Sequence, residues 1–162
     1  SVRSTGAAVR PIPWARPIAR GSPTPHHGRV PPPSSLEPAT LHELALERAL
    51  ALPAATLERP FGPEYEVVKV LGKMFLMATE LREVPIVVVK ADPRDSEVLR
   101  ENIRGISPGY HMNKRHWITV EAASGVDESL LNELVTDSYR LVVATLPRRE
   151  RPIDPETFEA RV

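Results

Sequence analysis

Between Tyr65 and Lys90 three apolar, strand-like runs follow one another with little chain between them. Tyr65–Val70 and Lys73–Ala78 are separated only by Leu71-Gly72, a two-residue hairpin turn. The third run, Val84–Lys90, is strongly β-branched. Parallel neighbours need a crossover of about a dozen residues or more, and these links are too short for one, so the stretch reads as an antiparallel meander. Pro85, near the start of the third run, suits an edge or entry position.

Helical patterns lie on either side. In Thr40–Leu52 apolar residues recur at 41, 45, 49 and 52. Thr40 and Glu43 are spaced as a capping box, and Pro53 ends the helix by withholding a backbone donor. His42, on the first turn, is expected to face solvent. Residues 53–63 read as a connector, stiffened by Pro60 and Pro63, with Phe61 expected to plug the core edge. Asp92-Pro93 opens a second helix whose buried face is Val98, Leu99 and Ile103, with Gly105 as its stop. A strand at 116–121 and a long helix over about 127–146, closed by Pro147, complete the pattern. The order helix, three strands, helix, strand, helix predicts an α+β two-layer sandwich, an antiparallel sheet with helices packed on one face.

Composition sets the organisation. Nine of the 18 prolines, five arginines and one acid fall in residues 1–38, with no apolar periodicity. This segment reads as a disordered, partly polyproline-like tail, an extension in preference to a basic arm. The domain is expected at 39–147, followed by a charged, loosely held tail at 148–162. Beyond residue 38 the chain carries 16 basic against 20 acidic residues, so bulk charge does not favour non-specific binding to nucleic acid. There is no cysteine, hence no disulfide, zinc-thiolate site or thiol nucleophile, which fits a cytoplasmic protein. No apolar run reaches the ~20 residues of a membrane span, so no membrane partner is expected.

Residues 106–117, Ile-Ser-Pro-Gly-Tyr-His-Met-Asn-Lys-Arg-His-Trp, crowd rings, donors and positive charge behind a Pro-Gly turn. His111 and His116 lie five apart in irregular chain with no third ligand evident, which argues against a metal site. There is no phosphate loop, nucleophile elbow or dinucleotide fingerprint, so no catalytic residue and no cofactor are assigned.

Several separated pieces, in order, resemble the MmcQ/YjbR family of small bacterial proteins. They are Leu52-Pro53 with Arg59-Pro60-Phe61-Gly62, then Leu71-Gly72-Lys73-Met74-Phe75, then Lys90 with Asp92-Pro93, the stretch Pro108–Trp117, and Ser138-Tyr139. The resemblance implies a CyaY-like arrangement and DNA binding through a double-wing motif. Weak DNA binding is accordingly expected, with Lys69, Lys73, His111, Asn113, Lys114 and Arg115 as contacts to phosphate or base. Phe61, Tyr110, His116, Trp117 and Tyr139 are expected to be structural. Two alternatives stand beside this. The same cations could be spent on cross-strand pairs, Lys73 with Glu66 or Glu80 and Arg115 with Glu121. The same surface, on the free face of a one-sided sheet, could instead serve a small anionic ligand or a protein.

Overall fold

The computed structural model describes residues 36–159. The proline- and arginine-rich tail expected at 1–38 lies almost wholly outside them. The described elements are α1 (Pro38–Leu50), β1 (Ala55–Glu58), β2 (Glu66–Val70), β3 (Lys73–Leu81), β4 (Val84–Lys90), α2 (Pro93–Asn102), β5 (Ile106–Pro108), β6 (Trp117–Glu121) and α3 (Glu128–Val143), then a 3-10 turn at Arg148–Glu150. The strands form one antiparallel sheet in the order β1-β2-β3-β4-β6-β5. The architecture is α+β.

The meander forms for the local reasons read from the sequence. Leu71 and Gly72 both take positive φ, 49° and 84°, as a type I′ hairpin turn requires. One irregularity interrupts the ladder. The pairing jumps from Val68↔Leu76 to Lys69↔Met74, leaving Phe75 as an extra residue in β3, a bulge. Side chains otherwise alternate between faces, and the bulge puts the successive residues Phe75 and Leu76 on the same side, opposite Met74 and Met77.

On one side α1 and α3 cover the sheet, burying Leu41, Ala45 and Ala49 of α1 and Leu131, Leu134, Val135 and Tyr139 of α3. Tyr139 meets the Phe75 ring edge-on at 5.2 Å, and its hydroxyl donates to Pro53 O at 2.6 Å. The bulge is secured from α3, because Ser138 Oγ donates to Phe75 O at 2.6 Å and accepts from Lys90 N at 2.9 Å. The other side carries a separate apolar cluster of Val67, Met77, Ile86, Val88 and Trp117, closed over by Tyr65, Met74, Leu81, Tyr110 and Met112. Tyr110 and Met112 come from the 109–116 loop. The second face is thus largely covered by the chain itself and is not the free binding face expected.

Other expectations need correcting. Residue Thr40 does not cap α1. The helix begins at Pro38 with Glu37 as N-cap, and the Thr40 hydroxyl donates to Glu37 O. His42 is not solvated but half-buried, with Nε2 2.9 Å from Thr79 O and 3.0 Å from Ile86 O. Both partners are carbonyls and can only accept, so Nε2 carries the proton. Phe61 does not plug the core. It is 66% exposed, and its ring lies 6.1 Å from that of Tyr65 in a T-shaped pair. Helix α2 ends before Gly105, with Ile103 as its C-cap. Gly105 is needed elsewhere, because a Cβ there would lie 2.5 Å from Glu121 O, where the chain crosses β6.

Two strands, β1 and β5, stand where the sequence reads as connector and turn. The segment after Leu146 is docked over its described length. Arg151 donates to Leu146 O and Ala144 O, Arg140 donates to Pro155 O, and Phe158 lies 5.8 Å from the Tyr139 ring. Arg48 pairs with Glu159. No helix among the described residues is long and apolar enough to cross a membrane.

Candidate nucleic-acid interface

The 109–116 loop is built on β6. Gly109 N donates to Trp117 O at 2.9 Å, and a Cβ on Gly109 would lie 2.6 Å from Trp117 Cβ. Only glycine permits that approach. Thr119, buried in β6, then spends its hydroxyl twice, accepting from Tyr110 N at 2.8 Å and donating to Pro108 O at 2.9 Å. Asn113 closes the loop's far side, its Oδ1 accepting from Arg115 N and its carbonyl from Trp117 N. Tyr110 and Met112 are pulled down onto the open-face cluster, which leaves His111 as the outward residue between them.

The expected site residues separate into three groups. Lys69 is spent, paired with Glu58 Oε1 at 3.0 Å on the neighbouring strand. Asn113 and Lys114 are partly structural, the first through the turn just described, the second through Nζ donating to Gly109 O. Lys73, His111 and Arg115 are exposed, and among the described residues neither Lys73 nor Arg115 makes a side-chain ion pair. The cross-strand pairs considered for them do not form. Glu66 is taken by Arg59 at 2.7 Å. Glu80 and Glu121 sit at the far ends of β3 and β6, roughly 23 Å and 13 Å from the near ends at ~3.3 Å per residue.

Of the residues expected to be structural, Trp117 and Tyr139 are buried and Tyr110 is half-buried against the open-face cluster. Trp117 is 9% exposed, with Lys90 Nζ 5.4 Å from its ring centroid. His116 is half-buried, and its carbonyl accepts from Ala91 N. Burial pushes the Tyr139 hydroxyl up to about 12.

Register brings the free cations to one end of the sheet. Lys90 pairs with Trp117, so the C-terminal end of β4 and the start of β6 are level. Leu76↔Val89 puts the start of β3 at the same end, with Lys73 projecting past the level of Lys90. Neighbouring strands are ~4.8 Å apart, so Lys73, Lys90 and the 110–116 loop share that end. Arg94, in the first turn of α2, follows directly from it. The opposite end is acidic. There a cavity of about 490 Å³ is lined by Glu64, Glu66, Glu80 and Glu83 together with His42 and Thr79. Arg82 shares the β3–β4 turn with Glu83, Arg59 pairs with Glu66, and Asp92 lies between Lys90 and Arg94, so charge is biased along the strand axis without being cleanly separated, a feature that net charge conceals. Thr119, which sequence reasoning did not place in the site, is the residue that positions the loop. Thr119 was visible as a lone hydroxyl in an otherwise apolar strand segment.

A family model for YjbR matches residues 50–141, spanning β1 through most of α3. The chain belongs to the YjbR family. Among its relatives, YbdF of Escherichia coli O157:H7 is 44% identical over 116 residues, which is 72% of this chain and 95% of that protein. YjbR of Escherichia coli K12 is 32% identical over 114 residues, 70% of this chain and 96% of YjbR. The fold matches a Deinococcus radiodurans crystal structure described as a DUF419 domain, with a TM-score of 0.61 and 30% identity over 72% of this chain and 91% of that one. The YjbR match contains the Leu71-Gly72 hairpin, Lys73, Lys90 and the whole 109–116 loop, so the basic end lies within the family domain.

Proposed function

We propose that this YjbR-family domain binds nucleic acid weakly through the basic end of its sheet. The β2–β3 hairpin and the 109–116 loop act as the two projections, with Lys73, Lys114 and Arg115 meeting phosphates. The observation that carries this reading is the placement of these exposed cations, with Lys90, at one sheet end while the glutamates gather at the other. Phosphate contacts dominate such affinity and need local, not net, positive charge. The surface is read as a binding surface, with no catalytic role assigned to its groups. A cytoplasmic location belongs to the same reading.

Fluorescence anisotropy with duplex and single-stranded oligonucleotides, at about 25–200 mM salt, tests it. The logarithm of affinity should fall with the logarithm of salt, and the slope should shrink by about 2 in Lys73→Ala/Arg115→Ala. No binding to either form at low salt, or an unchanged slope, would overturn the proposal.

A further inference from the structure

We infer that the strand bound is single, with an unpaired base stacked on His111. This rests on the nucleic-acid reading above and names its substrate. The argument starts from a backbone outlier. His111 holds φ at 64°, a left-handed conformation that few non-glycine residues adopt. That conformation is joined to a ring stack, with the imidazole 4.0 Å from the Tyr110 ring, centroid to centroid, at 36° between planes. Tyr110 in turn packs on the buried open-face cluster and is tied to Thr119 through its amide. One face of the imidazole is thereby backed by a fixed ring, while the residue itself is exposed.

A duplex has little use for such a platform. Its bases are stacked on one another and offer edges in the grooves, not faces. An unpaired base has a face to give, and recognition of single strands combines aromatic platforms with cations that track the backbone. Lys114 and Arg115 follow His111 within the same loop, and Lys73 stands at the same sheet end. Stacking tolerates any base, so binding is largely independent of sequence.

The test compares a mixed-sequence single-stranded 12-mer with its duplex by fluorescence anisotropy, for wild type and His111→Asn. Asparagine tolerates positive φ, so the variant removes the ring and keeps the turn. Wild type should prefer the single strand, and the ratio of single-strand to duplex affinity should fall about tenfold in His111→Asn. If the duplex is bound as tightly as the single strand, or if the ratio does not move, the inference fails and the nucleic-acid reading stands. If neither is bound, both fail. Unchanged thermal unfolding of the variant excludes lost folding as the cause of a lower ratio.

Discussion

Replacing Thr119 by valine should destabilise the domain and release the loop it holds. Thr119 is 3% exposed, and its hydroxyl accepts from Tyr110 N and donates to Pro108 O. Valine keeps the branched shape, so no cavity opens and strand preference is preserved. What goes is two hydrogen bonds, each worth about 1 kcal/mol net. The Tyr110 N–H and the Pro108 carbonyl also lose their partner where the loop meets the sheet. The expected cost is about 2 kcal/mol, rising towards 4 if neither group gains a water. For a domain of this size that lowers Tm by about 8 °C. Urea unfolding should show a lower midpoint at unchanged slope. Amide exchange at Tyr110 should accelerate more than at core amides such as that of Val88. Thr119→Ser, which keeps the hydroxyl and loses a methyl, should cost about half as much. A Thr119→Val protein within about 0.5 kcal/mol of wild type would refute the reasoning, because it would make the hydroxyl's two contacts energetically idle. A serine variant as damaged as the valine one would assign the effect to packing instead.

Tyr139→Phe should cost about 1 kcal/mol at pH 8 through the lost bond to Pro53 O. Because the folded hydroxyl is raised to about 12 from 10.0, the unfolded chain releases its proton first, so wild-type stability is full below pH 10 and falls between pH 10 and 12. The phenylalanine variant lacks that loss, and denaturant titrations at pH 8 and 11 should show the gap between the two proteins closing. Phe61→Ala should leave stability within about 0.5 kcal/mol, whereas Phe75→Ala should cost about 3–5 kcal/mol, as fits a ring 66% exposed against one fully buried; equal effects in urea unfolding would contradict the placement of both.

Long periodic segments were legible in the sequence and short ones were not. The α3 helix could be read because its leucines and valines recur at helical spacing over several turns, and α2 because Asp92 and Pro93 mark its start, with Asp92 Oδ1 accepting from Arg94 N. Strand β1 is four residues, Ala-Thr-Leu-Glu, and becomes a strand through its ladder with β2. Strand β5 is Ile-Ser-Pro, whose proline advertises a turn. His42 was misplaced because its partners, the carbonyls of Thr79 and Ile86, lie 37 and 44 residues away. Phe61 was misplaced because an apolar ring between prolines looks the same whether it points inward or out. At the site, residue types were legible but their availability was not. That Lys69 is paired and Lys73 is not depends on which strand lies beside each.

The bias of charge along the strands makes the domain a dipole. Beyond residue 38 the chain has more acids than bases, and residues 1–38 offset that excess, so the whole chain is neutral and a polyanion exerts no net long-range force on it. Within about a Debye length, ~8 Å at physiological salt, the ends are felt separately and the molecule experiences a torque before any contact forms. Encounters are thereby sorted by orientation, with the lysine end of the sheet turned towards the anion and the glutamate end away. A domain with no excess of positive charge can in this way dock one face of itself onto a strongly charged partner and let go readily as salt rises, because the attraction acts only over about a Debye length.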